Sequence, residues 1–442
     1  MPKVEPKIMS TQEDANKKAA DELLARDEKY VVRPWTGTKE PVPVVEGKGC
    51  VIKDAYGKEF LDFTSGYFVN QAGHCHPKVV AAATEQLAKI TQVSGRHTTL
   101  PVVDLAERLV KLSPSSLHKV FFTTGGSESN EFALKMVRQK SGKGDIMSLE
   151  NAYHGLSLGV LGGCASEKYR KTAGIELQDN FVRVPTPYAY HHPADSDCTT
   201  FCLEAAEKAF QENSNIAAVI AEPIQAVGGI IPSQRYWDGM SALCKKYGAY
   251  LILDEIQTGI GRTGAMFAAD HYGLEPDIMT VGKGLSGGVG SLAGVLASDE
   301  LVEGFYGGTT PTSAGNAVSA AAGLALIAVL EEEKMIENAA TMGVYFTEAV
   351  AALDDPWVGD IRFKGLLGGV ELVANRGTKE ILGKELVAKI KDALYEDGML
   401  ITTTGLYGNV LRLQPSLCIT SLQLDAFVAS LKKTLKSVRD EA

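Results

Sequence analysis

Short apolar runs alternate with amphipathic stretches through the middle of the chain. Strand-like runs occupy 119–124, 145–150, 215–222, 249–255, 276–282 and 291–298, and helical patterns occupy 127–140, 200–212 and 234–247. Uninterrupted apolar runs of this length suit strands that are covered on both faces. Strands alternating with helices therefore predict an α/β unit built on a largely parallel sheet.

The pattern changes after Gly315, where long helices replace the alternation. An alanine-rich helix comes first, and a second helix ends near Asp354. Two short strands follow over 359–374, with a turn at 364–365. A helix at about 379–396, a strand at 410–413 and a last helix in the C-terminal segment complete the chain. This order is typical of an α+β unit. We expect the segment 47–66, which has the pattern of a hairpin turning at 55–57, to pack with that unit.

Composition restricts the class of protein. The 442 residues suggest two or three structural units, and 45% hydrophobic with 22% charged residues is typical of a soluble globular protein. The net charge of −10 disfavours nucleic acid and anionic membranes as partners, and no apolar run is long enough to cross a bilayer. The first thirty residues have mixed charge and no apolar core, so no secretory signal is expected and a cytoplasmic location is predicted.

The cysteines and one histidine pair raise the question of a metal site. Seven cysteines, an odd number scattered along a large chain, fit reduced thiols. His191 and His192 precede Cys198 and Cys202, but this spacing matches no standard zinc finger. We expect no metal and interpret this segment as a polar surface loop.

Asp254 and Lys283 carry the strongest chemical signal as a pair. Asp254 ends an apolar run, and Lys283 follows another run between two glycines, 29 positions later. Alone, Asp254 fits a solvated turn and Lys283 fits an exposed loop. Together, at the carboxyl ends of two strands, they suit the two poles of a pyridine cofactor, with Asp254 on the ring nitrogen and Lys283 on the aldehyde carbon.

Two further motifs are weaker when each is taken alone. In TTGGSESNE, Ser127 opens a helix whose free N–H groups favour a phosphate, although ordinary capping has the same pattern and Glu128 fits simple compensation of the helix dipole. In AYHG, Tyr153 follows a strand end and could stack on a flat ring beside His154; packing on a helix edge is an equal alternative.

The ordered motifs resemble those of the class III aminotransferases, the subgroup-II branch of fold-type I pyridoxal-phosphate enzymes. From about residue 35 to 435 they are FTSGYFVNQAGHCHP, TTGGSESNE, AYHG, AEPIQ, LILDEIQTGIGRTG, the KG of Lys283, TSAGN, GDIRFKGLLGGVEL and LRLQPSL. The resemblance implies a large cofactor-binding domain (67–320) with a mostly parallel, seven-stranded sheet. It also implies a smaller α+β domain, formed by the N-terminal arm and segment (1–66) together with the C-terminal segment (321–442).

The resemblance further implies residue roles at a pyridoxal 5'-phosphate site. Lys283 resembles the lysine that forms the Schiff base and then moves the proton during the reaction. Asp254 resembles the partner of the ring nitrogen, Gln257 the donor to the ring 3-oxygen, and Tyr153 the stacking aromatic. The catalytic set is thus Lys283, Asp254 and Tyr153.

The other cofactor contacts implied by the family are spread along the chain. Gly126 and Ser127 resemble the phosphate-binding turn, and His154 and Glu222 lie in the motifs that surround the cofactor. In the family a threonine of the neighbouring subunit completes the phosphate site, and TSAGN aligns Thr312 with it. A shared site implies a homodimer or a dimer of dimers.

Thr309 and Thr310 are close alternatives to Thr312. On the substrate side, Arg412 resembles the arginine that holds the substrate carboxylate, because its planar fork suits that task. Tyr67 is expected to contact the substrate. Arg96 offers a second cation near the entrance, with a salt-bridged surface arginine as the alternative.

Some positions depart from the family pattern. The loop GVGSLAG after the lysine is one residue longer than usual, Ala317 replaces a proline, and Ser416 replaces one of two paired prolines. Tyr67 stands where dialkylglycine decarboxylases have a glutamine, and Asn316 where they have an aspartate of the alkali-metal site. These differences argue against that activity and leave the cofactor residues unchanged.

The resemblance implies a transaminase that moves an amino group from an amino acid or amine to a 2-oxo acid such as pyruvate or glyoxylate. Val227 stands where enzymes acting on ornithine-like substrates often have an acidic residue, which disfavours a cationic side chain on the substrate. The alternative is another reaction on the same fold: an ammonia- or phospho-lyase on a small amino-phosphonate or amino-phosphate, a racemase or epimerase, or a decarboxylating transaminase.

Overall fold

The computed structural model describes residues 11–32, 42–164, 167–177, 180–193, 196–308 and 310–442. The α-helices are α1 (Thr11–Tyr30), α2 (Ser65–Phe68), α3 (Pro77–Lys89), α4 (Leu100–Leu112), α5 (Gly126–Ser141), α6 (Leu158–Leu161), α7 (Glu167–Arg170), α8 (Cys198–Glu212), α9 (Gln234–Tyr247), α10 (Asp299–Val302), α11 (Ala317–Glu332), α12 (Met335–Ala351), α13 (Lys384–Glu396) and α14 (Ser421–Asp440).

The strands are β1 (Val44–Lys48), β2 (Val51–Asp54), β3 (Glu59–Asp62), β4 (Lys119–Thr123), β5 (Asp145–Leu149), β6 (Phe181–Val184), β7 (Ile216–Ala221), β8 (Tyr250–Asp254), β9 (Ile278–Val281), β10 (Ala293–Ala297), β11 (Val358–Lys364), β12 (Leu367–Asn375), β13 (Glu380–Ile381), β14 (Met399–Leu400), β15 (Thr402–Thr404) and β16 (Val410–Leu413). Short 3₁₀ helices occupy Lys171–Ala173, Ala189–His191, Ala268–Tyr272 and Lys283–Ser286.

A seven-stranded sheet forms the centre of the molecule, in the order β4-β10-β9-β8-β7-β5-β6. Only β10 runs against its neighbours, so the sheet is mostly parallel, as predicted. Every residue of β7, β9 and β10 is buried, which agrees with the uninterrupted apolar runs of these strands. Parallel strands place their carboxyl ends at one edge, and this edge carries the site described below.

Two smaller sheets flank the central one. The first has the order β1-β2-β3-β14, and the second has the order β11-β12-β16-β15 with β13 paired to β12. The expected hairpin is confirmed by the antiparallel pairing of β2 with β3, and β1 adds a third strand to it. Because β3 pairs in parallel with β14, the N-terminal hairpin packs against the C-terminal part of the chain, as expected.

Some boundaries differ from those predicted. The helix expected at about 379–396 begins at Lys384, because Glu380–Ile381 pairs with β12 as an additional strand. The strand Phe181–Val184 was not predicted, since two of its four residues are only half-buried and its pattern carries no continuous apolar run. Pairing between distant segments decides both cases, and local periodicity does not contain that information.

The alanine-rich helix α11 is largely buried and packs against α3 and α4. Its small side chains permit close approach of neighbouring helices. Within the described part of the chain, no helix has both the length and the hydrophobicity needed to span a bilayer.

Candidate active site

The carboxyl-terminal edge of the central sheet holds a cavity of about 130 Å³. Eight of the residues predicted for the cofactor site line it together: Gly126, Ser127, Tyr153, His154, Glu222, Asp254, Gln257 and Lys283. Asn130, Gly155 and Ile256 complete the lining.

Asp254 ends β8 and is 3% exposed. Its Oδ2 lies 2.8 Å from Asn130 Nδ2 and 2.8 Å from His154 Nδ1, and its Oδ1 accepts a hydrogen bond from the backbone N–H of Ile256 at 3.1 Å. With the His154 proton on Nδ1, three donors compensate the buried carboxylate, which a buried charge requires. His154 Nε2 is buried and has no hydrogen-bond partner among the described residues.

Asn130 connects this carboxylate to two other elements. Its Nδ2 also donates to the backbone oxygen of His154 at 2.8 Å, and its Oδ1 accepts from Thr280 Oγ1 at 2.8 Å. The amide therefore fixes Asp254, the loop after β5 and strand β9 relative to one another. The sequence interpretation missed Asn130 and Thr280; the available signal was a polar residue on the buried face of a helix and another inside an apolar strand.

Lys283 follows β9 and opens the 3₁₀ helix Lys283–Ser286 with a left-handed backbone, φ 41°. Burial lowers the pKa of its ammonium group, against the opposing effect of Asp254 and Glu222, which raise it. The lowered pKa increases the fraction of neutral amine, the form that attacks a carbonyl or accepts a proton. Gly284 lies closely packed beside it, since a Cβ there would lie 2.6 Å from the side chain of Gln71 and would make that side chain move.

The start of α5 provides free backbone donors. The helix begins at Gly126, one residue before the predicted Ser127, and its N-cap Gly125 supplies no side-chain hydrogen bond. Glu128 Oε2 accepts hydrogen bonds from the N–H and hydroxyl groups of Thr124 at 2.7 and 2.8 Å. Glu128 therefore stabilises the turn before the helix, in addition to compensating the helix dipole. The first N–H groups of α5 can therefore bind an anion.

The loop carrying Tyr153 packs directly on this helix start. Leu156 N–H donates to Ser127 Oγ at 3.3 Å, and Gly155 has φ 122° with Ser127 so close that a Cβ would overlap it. Tyr153 makes an edge-to-face contact with Tyr169, with ring centroids 5.5 Å apart. Burial raises the pKa of Tyr153 to about 12, so its hydroxyl is neutral at physiological pH.

Glu222 follows β7 and is buried behind the loop of Tyr153. Its carboxylate accepts from the N–H groups of Tyr153 and Ala226, each at 3.1 Å. Burial raises the pKa of Glu222 to about 7, with His154 lowering it and Asp254 raising it. Gln257 also borders the cavity, and its Oε1 is buried with no hydrogen-bond partner among the described residues.

Arg412 on β16 lies beside an aromatic turn. Its guanidinium carbon is 4.4 Å from the ring centroid of Phe68 and 5.9 Å from that of Tyr67, and its Nε donates to Thr402 Oγ1 at 3.1 Å. Burial lowers the pKa of Arg412. Within the described residues no carboxylate forms an ion pair with it, so the cation is available to a substrate anion.

Tyr67 lies in a strained turn at the same place. All four residues Ser65–Phe68 have positive φ, at 44°, 63°, 68° and 73°. Ser65 Oγ donates to the backbone oxygen of Gln414 at 2.8 Å, and Asp62 Oδ2 accepts from Gly66 N–H at 2.9 Å. Such a conformation is unfavourable for residues other than glycine and is typical of functional sites. It leaves the Tyr67 side chain 61% exposed.

Thr312 and Arg96 lie outside this cavity. Both are exposed; the backbone oxygen of Thr312 accepts from Gln92 Nε2 at 2.8 Å, and the N–H of Arg96 donates to Ser94 Oγ at 3.3 Å. Thr310 is also exposed, close to Gly95, and Thr309 lies outside the described residues. The segments 92–96 and 310–312 therefore form one surface patch of this chain.

The histidine pair considered for a metal contacts other groups. His191 Nε2 lies 2.5 Å from Glu371 Oε1, and His192 Nε2 lies 2.8 Å from Ser196 Oγ. Among the residues with a described structure, no three His, Cys, Asp or Glu side chains are grouped as metal ligands.

Comparison with known proteins agrees with this geometry. The family described as "Aminotransferase class-III" matches residues 34–435. An acetylornithine aminotransferase of Methanosarcina acetivorans is 36% identical over 418 residues, which cover 93% of this chain and 96% of the relative. A mitochondrial alanine–glyoxylate aminotransferase 2 homolog of Arabidopsis thaliana is 32% identical, over 90% of this chain and 84% of the relative.

A solved transaminase structure from the marine bacterium Virgibacillus superposes with a TM-score of 0.89 at 31% identity, covering 95% of this chain and 99% of that one. The family match extends over nearly the whole chain, and the relatives match along nearly their whole length. The chain therefore belongs to the class III aminotransferases, and it is a pyridoxal-phosphate-dependent aminotransferase of fold type I.

Proposed function

We propose that the cavity at the sheet edge holds pyridoxal phosphate through the residues that line it. Asp254 would hold the ring nitrogen, Gln257 the ring 3-oxygen, and Lys283 the aldehyde carbon. Two observations support the fit: Asp254 is a buried carboxylate fixed by Asn130, and Gln257 lines the same cavity as Asp254 and Lys283. A positively charged ring nitrogen would match that carboxylate.

The phosphate would lie at the start of α5. Gly126 and Ser127 offer backbone N–H groups with no side-chain cap, and the helix dipole favours an anion there. Tyr153 would cover one face of the ring, while His154 and Glu222 would position Asp254 and Tyr153 from behind.

The cofactor supplies an aldehyde that condenses with amines and a ring that withdraws electrons from the bond that breaks. Lys283 would remove a proton at the substrate Cα and return one at the carbon next to the ring. Its lowered pKa suits both tasks, because Nζ must be neutral before it accepts the proton. Asp254 would keep the ring nitrogen charged, and its neighbours Asn130 and His154 hold the carboxylate in position.

We propose an amino acid or amine as donor and a 2-oxo acid such as pyruvate or glyoxylate as acceptor. The half-buried guanidinium of Arg412, which has no carboxylate partner among the described residues, is the observation that carries the assignment of an anionic substrate. Tyr67 would contact the substrate, and Val227 offers no charge to a cationic side chain. The similarity to an alanine–glyoxylate aminotransferase supports a small oxo acid.

We further propose a homodimer or a dimer of dimers with shared sites. The exposed patch of 92–96 and 310–312 would bring Thr312 to the phosphate site of the neighbouring subunit and Arg96 to its entrance. Light scattering that gives the mass of a monomer at micromolar concentration would contradict this arrangement.

The domain division follows the sheets in the same proposal. The segment 67–320 would form the large domain around the seven-stranded sheet. The segment 1–66 would supply an N-terminal arm and part of the small domain, and 321–442 the rest of it, with β3 and β14 paired between them. A cytoplasmic location is supported by seven free cysteines, which fit a reducing compartment.

One experiment tests the reaction type. The purified yellow enzyme is mixed with a panel of amines and amino acids, with no oxo acid present, and its absorbance is recorded. Transamination predicts one equivalent of oxo product per site, bleaching of the cofactor band, and recovery when pyruvate is added. Repeated turnover without an acceptor, with release of ammonia or phosphate or inversion of the donor, would instead indicate a lyase or racemase.

A further inference from the structure

The pairing of β15 with β16 fixes the surroundings of Arg412. In the antiparallel register Thr402 stands directly opposite Arg412, and on the other side β12 places Gly369 opposite it. Directly opposed residues have Cβ atoms roughly 4.5–5.5 Å apart, so their side chains are in contact. Arg412 therefore has a hydroxyl on one side and a residue without a side chain on the other.

Two contacts restrict the guanidinium group in different directions. The Nε of Arg412 donates to Thr402 Oγ1 at 3.1 Å, which limits rotation about the end of the side chain. The ring of Phe68, which is 2% exposed, lies 4.4 Å from the guanidinium carbon and supports the group from one side. The hydroxyl and the ring together define where the cation lies and how its nitrogens are directed.

The hydrogen bond to Thr402 also decides which edge of the guanidinium binds a carboxylate. A bidentate pair can use Nε with one terminal nitrogen, or the two terminal nitrogens. Because Thr402 occupies the Nε proton, the terminal pair, which also interacts with the side chain of Tyr67, is the edge that is left for a bidentate carboxylate.

We propose that Thr402 is a positioning residue that holds Arg412 for end-on binding of the substrate carboxylate, and that it thereby sets the preference for carboxylate-bearing substrates. This inference rests on the proposed carboxylate role of Arg412. Thr402 acts through Arg412 and does not line the cavity at the sheet edge.

The test compares three variants of one strand. Thr402→Val removes the hydroxyl and keeps the branched shape, Thr402→Ser keeps the hydroxyl, and Thr403→Val is the matched control on the opposite face of β15. Each holoenzyme is assayed with pyruvate and with acetaldehyde, which differ by one carboxylate. The inhibition constant of propionate is measured in competition with pyruvate. If acetaldehyde is not turned over, its inhibition constant is measured in competition with pyruvate too.

Thr402→Val is expected to raise the KM for pyruvate and the inhibition constant of propionate by roughly 3- to 10-fold, as the loss of one hydrogen bond to a charged group implies. The kcat of this variant, and its KM or inhibition constant for acetaldehyde, stay within about twofold of the wild-type values. Thr402→Ser and Thr403→Val keep the constants for pyruvate and propionate near the wild-type values.

The companion variant Arg412→Gln separates the inference from the proposed function. If Arg412→Gln weakens pyruvate and propionate binding while Thr402→Val does not, the role of Thr402 is wrong and that of Arg412 stands. If Arg412→Gln leaves both constants unchanged, the carboxylate role of Arg412 is wrong as well. Equal effects of Thr402→Val on pyruvate and acetaldehyde would show a general structural role and would overturn the inference.

Discussion

Gly155 is the position where a single methyl group is expected to disturb the site most clearly. An added Cβ would lie 2.7 Å from the Cβ of Ser127 and 2.9 Å from its Cα, with the hydroxyl closer still. Rotation of the serine side chain cannot relieve the overlap, because the Cα is part of the backbone of α5. Alanine would also have to adopt φ 122°, which is rarely accessible to residues with a side chain.

The expected loss in the free energy of unfolding is the sum of two contributions. An unfavourable backbone conformation costs about 1–3 kcal/mol, and an overpacked contact costs about 1–3 kcal/mol, so Gly155→Ala should lower the free energy of unfolding by roughly 2–6 kcal/mol. Relief requires the loop to move by about 0.7 Å, the difference between 2.7 Å and ordinary contact at 3.4 Å. This shift would displace Tyr153 and His154 from the helix start and weaken cofactor binding by tenfold or more, or about 1.4 kcal/mol.

The assay is titration of the cofactor-free enzyme with pyridoxal phosphate, followed by fluorescence, together with urea unfolding. Gly383→Ala is the matched control, because Gly383 has φ −57° and its Cβ would meet nothing within 4 Å. The control should behave as the wild type. If Gly155→Ala binds the cofactor and unfolds as the wild type does, the close packing of the loop on α5 is refuted as a requirement of the site.

Two other changes test the buried polar groups. Asn130→Leu removes the donor to Asp254 and leaves a buried carboxylate with one bond fewer, so the free energy of unfolding in urea should fall by about 2–4 kcal/mol. Glu255 is fully buried and its pKa is raised to about 7, from an ordinary value of 4.5, chiefly by burial. Between these pH values the folded state holds a proton that the unfolded state has released, so this group's contribution to stability falls as the pH rises. Glu255→Gln should therefore flatten the decline of stability between pH 5 and pH 7, although Glu222, also with a pKa of about 7, retains part of it.

The results that would contradict these expectations are equally specific. Unchanged unfolding of Asn130→Leu would mean that Asp254 does not depend on this amide. Identical pH profiles of stability for Glu255→Gln and the wild type would mean that Glu255 has an ordinary pKa in the folded protein.

The sequence predicted the parts of the site that follow from strand ends and ordered motifs. Asp254 and Lys283 were paired because each follows an apolar run, and the parallel sheet brings both to one cavity. The central strands were predicted within one or two residues because their runs are continuous and buried on both faces.

The residues that sequence reasoning missed act through contacts between distant segments. Asn130 and Thr280 are 150 positions apart, and their hydrogen bond depends on how α5 packs on β9. Thr402 reaches Arg412 only through the register of β15 and β16. Such pairings are set by tertiary packing, which local patterns do not encode. The left-handed turn Ser65–Phe68 is likewise invisible in sequence, since only one of its four residues is glycine.

The role of Lys283 is the central claim, and covalent trapping tests it most directly. The holoenzyme is reduced with borohydride, digested, and its peptides are mapped by mass spectrometry. The peptide containing Lys283 should gain the mass of the reduced cofactor, and Lys283→Ala should give no adduct and no yellow protein. Modification of a different lysine, or an adduct that persists in Lys283→Ala, would contradict it.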